Sequence, residues 1–179
     1  MSDDITPDDK NWTWVLDRRC GECGFDASTF DPIRTTEALH DQVVRWTSVL
    51  ERSDVRARSR PDMWSPLEYG CHVRDVFRKF DERLKLMLET VDPAFENWDQ
   101  DATAIENRYD LQNPGTVVEE LRKAGLSLAT SFESVHQDQW TRRGFRSDGS
   151  VFTVASIAKY LMHDPVHHLW DVGAEVPLY

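Results

Sequence analysis

The stretch FTVASIAKYLMHDPVHHLWDVG, residues 152–173, carries a helix signature together with three of the chain's six histidines. Thr153 is placed to cap a helix, with Phe152 before it and Ile157 after it spaced as a hydrophobic staple, and Gly173 is placed to stop it. At about 100° per residue, Val154, Ile157, Ala158, Leu161, Pro165, Leu169 and Val172 gather on one side. Ser156, Tyr160, His163, His167 and Asp171 gather on the other. Only Lys159, Asp164 and Asp171 carry formal charge between Val154 and Val172. A helix so poor in charge is buried on most of its circumference, so the polar stripe is expected to face a cavity between helices. Buried polar groups need partners, and a cation is a strong one.

His163 and His167, four residues apart, point the same way one turn from each other, a spacing that serves metal ligation on helices. His168 is turned about 100° from His167 and is read as packing or support. A third ligand is expected from another helix. His72 lies at the edge of an apolar helical face beside Tyr69 and Val76, whereas His40 sits off its row and His136 near a helix C-terminus, where an imidazole suits the dipole without a metal. Position therefore favours His72. A single histidine on an apolar face is more often an ordinary core residue, and the paired spacing is what raises the metal reading.

Three further helices are expected. One spans about Thr36 to Arg58, with Leu39, Val43, Trp46 and Leu50 on one face. The next opens at SPLE, where Ser65 caps, Pro66 takes the first helical position and Glu68 closes a capping box; it should end near Asp92-Pro93. The third opens at NPGTVVEEL, with Asn113 as cap and Thr116 with Glu119 as a second box, and its face runs Val117, Leu121, Ala124, Leu128, Phe132 and Val135. With no convincing alternating strands, the reading is an all-α four-helix bundle over residues 35–179, preceded by an irregular Trp- and Cys-containing leader, residues 1–34, packed on it. The connection from Pro93 to Gln112 is expected to be irregular and long enough to cross between non-adjacent helices.

The 179 residues, 40% hydrophobic, suffice for one domain with a core. A formal net charge of -11 argues against nucleic acid and anionic membranes as partners. The polar start and the lack of a long apolar run lead us to expect a cytoplasmic protein. Three cysteines do not make a disulfide framework. Cys20 and Cys23 form a C-x2-C that lacks the second pair of a zinc knuckle. A glycine-flanked turn with packed thiols is the plain reading; a small structural zinc site using a histidine and a redox-active pair are the others. Cys71 is expected to pack against a neighbouring helix.

The combination of WSPLEYGCHVRDV, supplying His72, and HDPVHHLWDV, supplying His163 and His167, resembles the DinB/YfiT-like superfamily of four-helix bundles over about residues 35–173. That family carries one histidine on its second helix and an H-x3-H pair on its last. The resemblance implies a divalent metal on His72, His163 and His167, and a reaction that uses a low-molecular-weight thiol, as in its mycothiol-dependent maleylpyruvate isomerase and bacillithiol transferases. The leader DKNWTWVLDRRCGECGFD resembles an actinobacterial branch, which implies mycothiol. It implies a homodimer as well. Three neutral imidazoles suit zinc, and nickel, iron or manganese are compatible. Tyr160 is a candidate catalytic donor to substrate, and Asp171 a candidate to orient His167. Pro165, between the ligand histidines, is expected to kink the helix. Against a metal-dependent transferase or isomerase stand a non-catalytic metal or small-molecule binding protein and a bundle whose histidines are core residues.

Overall fold

Three of the major helices begin on side chains that their own sequence supplies. In the computed structural model, which describes residue 5 and residues 11–179, Ser65 Oγ accepts from the Glu68 amide while the Glu68 carboxylate accepts from Ser65, opening helix α2, Pro66–Glu89. Asn113 accepts from the Thr116 amide at the start of Pro114–Glu133, and Thr153 from the Ser156 amide at the start of Val154–Asp171. Gly173, with φ +64°, follows the last helix and takes the left-handed turn that ends it. The short box at Thr116 and Glu119 is not the cap.

The described residues contain five α-helices: α1 (Thr35–Leu50), α2, α3 (Gln100–Glu106), α4 (Pro114–Glu133) and α5 (Val154–Asp171). Helix α1 is shorter than the periodicity predicts, because the apolar row Leu39, Val43, Trp46 and Leu50 has no successor in ERSDVRARS. There Arg52 turns back to the Val172 carbonyl and Asp54, and the Leu67 amide reaches the Val55 carbonyl. The helix α5 runs unbroken across Pro165, whose carbonyl accepts from Trp46 Nε1 of α1 at 3.2 Å.

Helix α4 packs on both α1 and α2, and α5 lies against the same two. The α1–α4 approach is close: a Cβ added at Gly125 would run into Val43 Cγ2 and stand 3.2 Å from the Phe77 ring. Asp81 of α2 ties the same helix from the other side, accepting from Ser127 Oγ at 2.9 Å and Ser131 Oγ at 2.5 Å.

The bundle carries one addition that alternation in the sequence did not announce. A three-stranded sheet of β1 (Ala94–Phe95), β2 (Arg143–Arg146) and β3 (Val151–Thr153) is ordered β1-β2-β3, with a parallel and then an antiparallel pair. Strands of two to four residues are too short to show a period of two. The sheet anchors the long connection from α2 to α4, which also folds into α3 and a 3-10 turn at Tyr109–Leu111. Tyr109 is buried there and donates to Asp75 at 2.6 Å.

Part of the leader expected over residues 1–34 lies outside the described residues. Its remainder holds a 3-10 turn at Trp12–Leu16 that rests on α5 and a second at Pro32–Arg34 that leads into α1. No helix among the described residues is long and apolar enough to cross a membrane.

Replacing Gly125 by alanine forces α1 and α4 apart and is expected to lower stability by about 1–3 kcal/mol; denaturant unfolding followed by circular dichroism measures it.

Candidate metal centre

Consecutive residues on a helix point about 100° apart, and on α5 that rotation divides the polar stripe between two sites. Asp164 and His168 face α2 and meet His72. One ligand atom from each of the three lies within 4.8 Å of the others. His163 and His167, their rings 5.0 Å apart, face the leader and meet Cys20 and Cys23 in a second group of the same tightness. The trio His72, His163 and His167 expected from the sequence is thus shared out: His163 and His167 come together, while His72 joins Asp164 and His168. The stripe lines one small cavity, with one of its rows turned toward the leader and the other toward α2. His40 and His136 are exposed and belong to neither group.

The first group has the makings of a cation site. Asp164 Oδ1 lies 3.2 Å from His72 Nε2 and 3.7 Å from His168 Nε2. Oδ1 is sealed from solvent yet accepts no hydrogen bond from the described residues, and His72 Nδ1 is equally without one. His72 Nε2 makes a long hydrogen bond of 3.4 Å to the other oxygen, Oδ2. Two imidazoles and a carboxylate form a donor set suited to a divalent metal, and roughly 2.0–2.2 Å bonds to a shared ion fit those separations. Burial pushes the Asp164 carboxyl up, but His72 and His168 outweigh it and hold it down at about 2, so the ligand is ionised.

Asp171 supports this group. Its Oδ2 lies 2.7 Å from His168 Nδ1 and 4.0 Å from His167 Nε2, so it orients His168 in place of His167. A carboxylate behind a ligand imidazole fixes the ring and its tautomer. His72 is held by aromatic faces: Trp98, from the connection, stacks on it at 5.5 Å and 1°, and Trp64 tilts over it at 5.4 Å.

A cavity of about 60 Å³ runs beside the group, lined by Trp12, Gln100, Tyr160 and the polar face of α5. Tyr160 accepts from Arg146 Nη1 at 3.3 Å, which leaves its own proton for another acceptor. Burial raises the Tyr160 phenol and Arg146 opposes that, so it remains protonated at neutral pH. Arg146 is itself paired with Asp148 at 2.8 Å.

The second group is apolar in its surroundings. Trp12 covers the His163 and His167 rings at 5.3 and 5.0 Å, and Phe25 meets His163 edge-on. Burial, followed by the charge of His167, lowers His163 to about 3. Burial also lowers His167 and raises the Cys23 thiol to about 12. Cys71 stands apart from both groups, buried among the helices.

Sequence reasoning missed Asp164 and His168 as ligand candidates, and weighed Cys20 and Cys23 as a zinc pair with a histidine without finding that His163 and His167 meet them. A D-x3-H at 164 and 168 is nested one residue behind the H-x3-H at 163 and 167, and it was the signal to weigh.

Comparison with known proteins agrees with this architecture. A family model described as the DinB superfamily matches residues 25–172. Among solved structures, YfiT from Bacillus subtilis, described as a probable metal-dependent hydrolase with an unusual four-helix bundle topology, is similar in fold. It aligns with a TM-score of 0.67 and 18% identity over 79% of this chain and 82% of its own. No curated protein matches.

In chelator-treated protein His163 is expected to stay neutral through the range where an ordinary histidine charges, near pH 6.5. Because its folded value is depressed, the stability held above pH 6.5 falls away as the pH drops toward 3. Imidazole NMR titration and unfolding at stepped pH read both.

Proposed function

This chain belongs to the DinB superfamily, and on that footing we propose that it is a divalent-metal-dependent enzyme whose metal is held by His72, Asp164 and His168. The meeting of these three side chains from α2 and α5, with Asp164 Oδ1 sealed and unpartnered, is the observation that carries the reading. Zinc suits two imidazoles and a carboxylate, and iron or manganese would also be compatible. A divalent cation held there supplies Lewis acidity and lowers the pKa of the nucleophile.

The rest of the work falls to the chain. Asp171 keeps His168 turned toward the shared point through its Nδ1 hydrogen bond. Trp98 and Trp64 clamp the His72 ring and exclude water from that side. Tyr160, its oxygen already taken by Arg146, presents a proton to the cavity and can donate it to charge developing on a substrate. Arg146 holds the phenol in place and adds positive potential behind it.

We take the nucleophile to be a low-molecular-weight thiol of the mycothiol type, adding through sulfur across an activated carbon–carbon double bond: the C–S bond forms as the π bond breaks, the thiol's proton passes to solvent, and the carbon left with the electron pair takes a proton from Tyr160 or solvent. The products are a thioether or, where addition reverses, an isomer. The narrow cavity favours a second reading, water as nucleophile and hydrolysis as the reaction, which is how YfiT is described.

Metal analysis of untagged protein comes first. His72→Ala, Asp164→Ala and His168→Ala are each expected to abolish turnover and to lose the metal this group holds. Asp171→Asn is expected to weaken metal binding by about 10–100-fold. Tyr160→Phe is expected to keep its metal and lose about 10²-fold in kcat. Turnover of electrophiles that requires added thiol supports the transferase, and turnover of esters or amides without thiol supports the hydrolase. Metal-loaded protein that turns over neither is a binding protein, and the enzyme reading then fails.

A further inference from the structure

We propose that Cys20, Cys23, His163 and His167 form a four-ligand structural zinc site that fastens the leader to α5, separate from the candidate catalytic group. Each contributes one donor atom, and all four donors lie within 4.8 Å of one another. All four residues are buried, from 1% exposed at Cys20 to 7% at Cys23. The Cys20 Sγ to His167 Nδ1 separation is 3.6 Å. Bonds of roughly 2.3 Å to sulfur and 2.0–2.1 Å to nitrogen at a tetrahedral angle span about 3.6 Å between donors.

The local backbone is built to bring two sulfurs to one point. The Cys20 amide donates to the Phe25 carbonyl and the Gly24 amide to the Cys20 carbonyl, closing a tight knuckle. Gly24 sits at φ +77°, a conformation a side chain would strain. Across the site, Glu22 Oε2 stands 3.6 Å from His167 Nε2, the nitrogen remote from Cys20, where a carboxylate orients a ligand imidazole.

The alternatives fit less well. As an ordinary core, the group leaves His163 Nε2 sealed and without a partner among the described residues. As a redox dithiol, Cys20 and Cys23 are too buried to meet a partner. Two thiolates and two imidazoles select zinc over magnesium, calcium or manganese. Two thiolates also cancel the ion's charge, and each thiol gives its proton to solvent as zinc enters. With four protein ligands no position is open for substrate, so the role is structural. The ion would join segments 147 residues apart. It would also seat Trp12 against both imidazoles and at the wall of the cavity beside Asp164 and His168.

The test is cobalt(II) titration of the reduced, chelator-treated full chain, read by absorption. Wild-type protein, His72→Ala and Asp164→Ala are expected to bind one equivalent with an intense thiolate-to-cobalt charge-transfer band and a tetrahedral visible spectrum. Cys20→Ser and Cys23→Ser are each expected to lose that equivalent and the band, while metal bound by the His72 group remains. Excess zinc should bleach the band. A wild-type cobalt spectrum without thiolate charge transfer overturns the proposal, as does a band that survives both cysteine substitutions. If a cysteine variant does not fold, the Asp164→Ala protein decides alone: one equivalent with the band supports the site, and none defeats it. Wild-type protein that shows the band but takes up no further metal at the His72 group would sink the enzyme reading and leave this site standing.

Discussion

The turn of one α-helical residue is the constraint on which this molecule's chemistry depends. On α5 the run His163-Asp164 and, a turn later, His167-His168 places donors in two rows about 100° apart. Neither row can reach both neighbours. The row of Asp164 and His168 faces α2 and finds His72, and the row of His163 and His167 faces the leader and finds Cys20 and Cys23. Everything else in the fold holds α5 at the rotation that satisfies both. Trp46 bonds the Pro165 carbonyl from α1, the apolar row from Val154 to Leu169 is buried in the bundle, and the Thr153 box fixes where the helix begins.

Pro165 sits between the two members of each row, and it does not disorder them. A proline costs a helix one backbone hydrogen bond and crowds the preceding turn. Here the helix continues through it, and the His163 and His167 rings still lie 5.0 Å apart. The residue is buried, with its carbonyl engaged by an indole, so tertiary packing carries the local defect.

The features legible in the sequence were those decided within a few residues. Ser65 with Glu68, Asn113 before Pro114, Thr153 and Gly173 each act on amides or torsions close by, and each marks a helix end where it was read. Membership of a four-helix family followed from helix order and histidine placement. What could not be read was decided at a distance. H-x3-H and D-x3-H overlap by one position, and only the packing of α5 tells which of them faces α2. The C-x2-C has no second pair near it in sequence, and the histidines that meet it sit on α5, some 140 residues along the chain. The sheet was invisible for a different reason: its strands are too short to set up an alternation, and its parallel pair joins segments 51 residues apart.

The flat stack of Trp98 on His72 has an implication for how such a protein diversifies. The side chains of the His72 group stand on two helices locked into the bundle, but the surfaces that enclose them do not. Trp98 and Gln100 come from the connection between α2 and α4, and Trp12 comes from the leader. Loops tolerate sequence change far better than packed helices do. Selection can therefore reshape what reaches the His72 group by editing these two excursions while the helices that carry it are inherited intact.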